Sequence, residues 1–341
     1  MSQQSTIVIA GASGMIGTEL TRQLEASGHT VIRLVRHPTH QPRERQWDPE
    51  VGWLNVATID AADVVINLSG ASISRLPWTL PYKKQILSSR IQATNTITAA
   101  IAKSSNPPHT LVNGSAVGFY GDRPGELLSE QSPRGGGFLA KVVESWERAA
   151  QKASPDTRVV LARTGLVLGD GGALTPLRIL AKLGLAGPLG SGRQIWPWIS
   201  LYDEAAAIAH LATASALSGP VNLAAPTPVT AAELTQTLAA ELNRPFWLPA
   251  PGWAIKAALA DAGKELLLSD QNVSSAAGSR RLRVPRQRGA SGAGSRAHSR
   301  LSAIAFLRAA RARRLSPLAS YASPSLNQAL QLSGSASTAS R

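Results

Sequence analysis

The chain has 341 residues, no cysteine and a formal net charge of +14, a length that suits one large α/β domain with an appendage or two domains. The missing cysteines exclude disulfides and thiolate metal sites, no apolar run approaches the ~18 residues of a membrane span, and MSQQST has no signal-peptide pattern, so a cytoplasmic protein is expected. The charge is uneven: residues 275–341 hold 12 arginines and no lysine, aspartate or glutamate, which leaves residues 1–274 with 23 of the 35 basic residues against all 21 acidic ones, an ordinary balance.

Strand-like and helical runs alternate through the first half. Residues 6–11 (TIVIAG) predict a strand and 15–26 a helix. A second strand is expected over 29–35 (HTVIRLV) and a third over 63–70 (DVVINLSG), nearly all apolar before a polar exit. Then come a long helix over 79–102, a strand over 109–116 (HTLVNGSA), a helix over 136–152 and a strand over 157–164 (TRVVLART). Near-continuous Val/Ile/Leu runs imply strands buried on both faces, hence a parallel sheet between helices. The alternation gives an α/β class and a doubly wound parallel-sheet Rossmann fold. From residue 165 the pattern becomes irregular and rich in Gly and Pro. A helix over 203–217 and a strand over 219–226 return to the main sheet, and 230–274 read as helix, short strand and helix, making a small C-terminal cap. In the tail, only 301–315 (LSAIAFLRAARARRL) looks helical.

The first strand runs into GASGMIG, a G-x-x-G-x-x-G spacing at the mouth of a helix. Gly11 permits the tight turn, Gly14 lets backbone approach a pyrophosphate, and Gly17 lets the helix pack on the strand. The helix opens at Met15 and Ile16, whose end offers amides and a favourable dipole to an anion, and Ser13 adds a hydroxyl. The alternative is a merely structural glycine turn. An NAD site usually sets Asp or Glu about 20 residues on, to bond the ribose 2′-OH. Here VIRLVRHPTH supplies Arg33 and Arg36, with no acid before Glu44. Arginine suits a 2′-phosphate through charge-assisted, often bidentate bonds, so NADP(H) is expected, with Arg36 the stronger candidate. The six histidines show no metal-ligand spacing with carboxylates.

Together with RLPWTLPYKKQILSSRIQATNTI, NGSAVGFYG, LARTGLVLG, AGPLGSGRQIWPWI and SGPVNLAAPTPV, these segments resemble the short-chain dehydrogenase/reductase superfamily. The branch is the atypical group of epimerase family proteins, nucleoside-diphosphate-sugar epimerase-like, with a C-terminal domain of unknown function. The likeness runs from residue 5 to residue 274. It implies an NADP(H)-binding Rossmann domain over 1–165 with 199–226 returning to it, and a small substrate-side cap from 166–198 and 227–274. Carried over, Gly11, Ser13, Gly14, Met15, Ile16 and Gly17 match the phosphate loop, and Arg36 the basic residue after the second strand. Leu68, Ser69 and Gly70 match the loop passing the adenosine side. Ser115 lies in the strand-end motif that faces the nicotinamide. Arg90 matches an arginine of the long helix, and Gly190, Ser191, Gly192, Arg193 and Gln194 match a loop where substrate could lie. Trp196, Pro197 and Trp198 follow, so aromatic faces and a guanidinium could line one pocket for an anionic or aromatic substrate such as a nucleotide sugar, or the tryptophans pack a domain seam. Family members often show His and Asp after this segment; here Ser200 and Tyr202 stand there, with Asp203 retained.

Hydride chemistry in this superfamily uses a Tyr acid/base and a Lys four residues later, which lie on one helical face. Tyr82, Tyr120, Tyr202 and Tyr321 are followed at that spacing by Ile86, Pro124, Ala206 and Ser325. At the expected helix Phe138 and Val142 occupy the two positions, and Lys141 lies about 100° round the helix. The remaining catalytic candidates are Ser115, as a substrate-orienting hydroxyl or a turn cap, and Tyr120, as a substitute acid or a packed turn residue. Three functions follow as expectations. The first is an NADP(H)-dependent oxidoreductase or epimerase acting on a sugar-nucleotide-like substrate. The second is an NADP(H)-binding sensor or scaffold without turnover. The third, nucleic-acid binding, depends on the tail being genuine. Arginine without any lysine fits better a GC-rich gene read out of frame from residue 275.

Overall fold

The computed structural model describes residues 4–169 and 171–274; the arginine-rich tail and its expected helix lie outside the described residues. In chain order the elements are β1 (Thr6–Ala10), α1 (Met15–Ala26), β2 (Thr30–Val35), β3 (Glu44–Asp48), β4 (Trp53–Leu54), α2 (Val56–Asp60), β5 (Val64–Asn67) and α3 (Leu80–Lys103). They continue with β6 (Thr110–Ala116), β7 (Leu127–Leu128), α4 (Phe138–Ala150), β8 (Arg158–Thr164), β9 (Leu166–Leu168), α5 (Thr175–Lys182), β10 (Ile195–Trp196) and β11 (Trp198–Ser200). The last are α6 (Leu201–Thr213), β12 (Gly219–Leu223), β13 (Val229–Thr230), α7 (Ala231–Glu241), α8 (Gly252–Ala262) and β14 (Asn272–Val273).

The main sheet has the order β12-β8-β6-β5-β1-β2-β3-β4, parallel throughout except for the antiparallel β3–β4 pair. Ile7, Ile9, Val64, Ile66, Val112 and Val160 meet α1 and α6 on one face, and Val8, Val65 and Leu111 meet α3 on the other. This two-sided burial explains the unbroken apolar runs. It is a Rossmann-like sheet whose order reverses between β1 and β5, and such a reversal opens a crevice at the strands' carboxyl ends.

Three differences from the sequence reading have physical causes. β3 and β4 extend the sheet beyond β2, where no strand was expected. The segment ERQWD, next to the edge strand β4, buries just Glu44 and Trp47, so it lacks an apolar run. The irregular stretch after Gly165 contains α5 and the two- and three-residue strands β9, β10 and β11, too short to show a period. Finally, α6 begins at Leu201 because the Ser200 hydroxyl accepts from the Asp203 amide at 3.0 Å, an N-cap.

α6 also carries a buried acid. Glu204 is fully buried; Thr164 Oγ1 donates to its Oε1 at 2.7 Å, and Oε2 has no partner among the described residues. Burial pushes this carboxyl up from 4.5 to about 8. The native state therefore keeps a proton that the unfolded chain releases, and the contribution to stability is full below pH 4.5 and falls until about pH 8. Glu204→Gln removes that slope. In denaturant titrations at pH 5 and pH 8, wild type is expected to lose on the order of 1.4 kcal/mol per pH unit relative to the variant. Parallel behaviour of the two proteins would contradict it.

Candidate functional site

The crevice is built from the exits of β1, β5, β6 and β8. At β1, Gly11 has φ +83°, and a Cβ there would stand 2.8 Å from the Leu68 carbonyl carbon and oxygen. A Cβ at Gly17 would stand 2.2 Å from Gly11 O, so α1 seats directly on its own entry turn. The turn closes with Gly14 N donating to Gly11 O at 3.1 Å. Gly14 caps α1 without a side-chain acceptor, and the first turn carries no acid, so its leading amides remain available to an anion. Ser13 is exposed on this loop, while Met15 and Ile16 pack partly into the core.

Leu68 N donates to Ala10 O at 2.9 Å, which fixes the β5 exit loop Leu68–Gly70 against the β1 exit. Beneath it lies a buried polar network that sequence reasoning missed. Asn67 Nδ2 donates to Thr94 Oγ1 at 3.0 Å and Asn113 Oδ1 at 2.8 Å, Trp146 Nε1 donates to Thr94 Oγ1 at 3.0 Å, and Ser69 N donates back to Asn67 Oδ1 at 3.1 Å. The available signal was an asparagine at the end of each apolar run, in DVVINLSG and HTLVNGSA. Buried amides need partners, and here they lock two strand ends to α3 and α4.

At the end of β2, Arg36 is exposed. Arg33 pairs with Glu25 at 3.3 Å. Glu44, the first acid after β2, accepts from the His40 and Gln41 amides at 2.8 and 3.2 Å, bonds that hold it below the usual carboxylate range. Its carboxylate is thereby committed to the loop.

The two catalytic candidates are drawn into a second buried network. Ser115 Oγ donates to Glu147 Oε1 at 2.6 Å. Arg163 grips the same carboxylate with Nε at 2.8 Å and Nη2 at 2.9 Å, and its Nη1 donates to Tyr120 Oη at 3.0 Å. Tyr120 Oη donates to Asn222 Oδ1 at 2.7 Å, and burial raises its pKa. Tyr120 has no solvent exposure and donates its proton to Asn222, surroundings that match the alternative of a packed turn residue. Ser115 likewise donates its proton to Glu147.

The positions of the usual Tyr and Lys lie in an apolar cluster. Val142 is buried with Ile86, Trp78 and Ala262, and Phe138, Leu259 and Leu266 pack around them. Phe138 meets Trp78 edge-on at 5.7 Å. The amides of Phe138 and Leu139 donate to the Glu265 carboxylate at 2.6 and 2.7 Å, so a residue just past α8 caps α4. This face of α4 shares an apolar cluster with α3, the Trp78 loop and the end of α8.

On the substrate side the expected residues divide. Gln194 is buried; its Nε2 donates to Leu189 O at 3.0 Å and Leu267 O at 2.8 Å, and its Oε1 accepts from Ser191 Oγ at 3.2 Å. Trp198 is buried, with Nε1 donating to Thr227 O at 3.0 Å. In both, the side-chain N–H groups donate to backbone carbonyls. Arg193 is exposed. Arg90 stands apart from these three, beside Gly70. Among the described residues no helix is long and apolar enough to cross a membrane.

Removing one partner of the buried Glu147–Arg163 pair strands the other charge. Glu147→Ala is expected to lose about 3–5 kcal/mol in equilibrium unfolding. A loss under about 1 kcal/mol, the range of exposed pairs, would contradict the network.

Comparison with known proteins agrees with this architecture. Residues 7–224 match the model of the NAD dependent epimerase/dehydratase family. The chain is 42% identical over 269 residues to the epimerase family protein Mb2239 of Mycobacterium bovis, covering 78% of this chain and 89% of the relative. It is similar to the structure of human epimerase family protein SDR39U1 with NADPH, at a TM-score of 0.72 and 34% identity, covering 79% of this chain and 91% of that one. A nucleoside-diphosphate sugar epimerase from Corynebacterium glutamicum is similar at a TM-score of 0.65 and 34% identity, covering 81% of this chain and 54% of that chain. The chain belongs to the NAD-dependent epimerase/dehydratase family, as an atypical member of the short-chain dehydrogenase/reductase type.

Proposed function

We propose that the chain binds NADP(H) and uses it on a small, sugar-nucleotide-like molecule as an oxidoreductase or epimerase. The observation that carries the cofactor choice is the pairing of an exposed Arg36 at the β2 exit with a Glu44 tied into its own loop. A cation there favours a 2′-phosphate, and Glu44, the first carboxylate after β2, is already bonded to its own loop. The glycine turn fits a pyrophosphate, because a Cβ at Gly11 or Gly17 would collide with backbone and the α1 amides beyond Gly14 lack a side-chain cap. In this reading Gly11, Ser13, Gly14, Met15, Ile16 and Gly17 form the phosphate loop, and Leu68, Ser69 and Gly70 the adjoining wall. Residues 1–165 with 199–226 hold the cofactor, and 166–198 with 227–274 close the substrate side, where Arg193 is the cation available to an anionic group. The NADPH in the SDR39U1 structure and the naming of the Corynebacterium relative support the cofactor and the substrate class.

When bound, the nicotinamide supplies a hydride donor or acceptor. The proton that accompanies it does not come from the usual Tyr–Lys pair, whose positions are packed under α8. That packing favours a second reading, a cofactor-binding sensor or scaffold without turnover. Two incubations decide between them: 4-deuterated NADPH with 4-keto nucleoside-diphosphate sugars, and NADP+ with the corresponding hydroxy-sugars, each followed by mass spectrometry and chromatography. Deuteride transfer to the keto carbon, cofactor reduction or inversion of a sugar supports turnover, and cofactor binding with none of these supports the sensor. For the cofactor choice, Arg36→Ser is expected to weaken NADPH by roughly tenfold or more while leaving NADH within about twofold, read by fluorescence titration. An equal effect on both would place Arg36 away from the 2′-phosphate.

A further inference from the structure

Arg90 carries a charge that the fold does not use. Among the described residues it has no carboxylate partner. Its Nη1 donates to two backbone carbonyls, Ala71 O at 3.1 Å and Ile86 O at 2.9 Å, and the guanidinium lies 5.1 Å from the centre of the Trp146 ring. Burial lowers its pKa to about 10, which still leaves it cationic at neutral pH. The Nε–Nη2 edge, two parallel donors, has no acceptor among the described residues. Neither atom of that edge is sealed from solvent, so a ligand can take it without displacing a protein partner.

The position of that edge narrows the ligand. A Cβ at Gly70 would stand 3.0 Å from Arg90 Cγ, 3.1 Å from Cζ and 3.3 Å from Nε, so the guanidinium lies along the bare backbone of the β5 exit loop. β5 neighbours β1 on the side opposite β2. A dinucleotide anchored by a 2′-phosphate at the β2 exit and a pyrophosphate at the β1 turn runs next over the β5 exit. Ile86 and Val142 pack together across α3 and α4, and Arg90 and Trp146 are the next turn along each helix. Arg90 thus brings a cation from α3 to within one helical turn of the place where α4 carries valine instead of lysine.

We infer that Arg90 holds the nicotinamide-side ribose and its phosphate, a cofactor-positioning role supplied from α3 in place of the α4 lysine. The inference rests on the NADP(H) reading above. It is tested by calorimetry with three probes, NADPH, 2′-phospho-ADP-ribose and 2′,5′-ADP, on wild type, Arg90→Met and Arg90→Lys, with thermal melts to confirm folding. Arg90→Met is expected to weaken NADPH and 2′-phospho-ADP-ribose by roughly 10- to 100-fold while 2′,5′-ADP, which lacks the distal ribose phosphate, stays within about twofold. Arg90→Lys, which keeps the charge but loses the planar edge, falls between and carries the comparison if the methionine variant does not fold. An equal loss for all three probes would make Arg90 a structural residue, and no loss for any would remove it from the cofactor; either overturns the inference. Wild type that binds 2′,5′-ADP and NADPH sustains the underlying reading whatever the variants do, and wild type that binds none of the probes overturns both.

Discussion

The crevice depends on one close approach of backbone to backbone. The α1 helix can begin where it does because nothing but hydrogen projects from Gly17 toward Gly11 O, and Gly11 in turn sits against the Leu68 carbonyl. From that contact follow the seat of α1 on β1, the bare amides at its start, and the path of the β5 exit loop. Asn67 then transmits the position of that loop to β6, α3 and α4 through bonds to Asn113 and Thr94. A side chain at either glycine would push apart elements that the polar network holds in register, and overpacking of this kind commonly costs 1–3 kcal/mol, on the order of a fifth of a domain's net stability.

The same economy of polar groups explains why the usual proton relay is missing without leaving a hole. Where a tyrosine and lysine would face the crevice, Phe138 and Val142 face α8, and Glu265 takes over the capping of α4. Ser115 and Tyr120 remain at the β6 exit, but the Glu147–Arg163 pair and Asn222 absorb their hydroxyls. A carboxylate gripped by a bidentate guanidinium and a serine is satisfied and neutralised, which suits burial and leaves little for exchange with a ligand. Of the site residues expected from the sequence, Arg36 and Arg193 are exposed, and Arg90 keeps one edge without a protein acceptor among the described residues. That distribution suits binding of phosphorylated molecules better than general acid–base work by a side chain.

How much of this was legible in the sequence depends on what each residue buries. β1, β2, β5, β6 and β8 announce themselves because both faces of the sheet are covered, and α1 because three glycines stand before it. β3 was invisible because ERQWD buries just two of its five residues and so shows no apolar run. Phe138 and Val142 could be read as a departure from the relay, but not that α8 covers them, since that contact joins segments more than a hundred residues apart. For Tyr120, Gln194 and Trp198 the neighbourhood was readable and the direction was not. Residue type and spacing place a side chain near a strand end, while its partners decide whether it faces ligand or core. Asn67 and Asn113 were visible as polar breaks in apolar runs, and each needed the other to acquire a meaning.

The central claim is that the glycine turn and Arg36 make this chain a receptor for the 2′-phosphorylated dinucleotide. Titration of the purified full chain with NADPH and, separately, with NADH by isothermal calorimetry tests it most directly. The expected result is one NADPH per chain, bound at least about tenfold more tightly than NADH, as a charge-assisted bond to the 2′-phosphate implies. Absence of binding by either, or NADH bound as tightly as NADPH, would contradict the account.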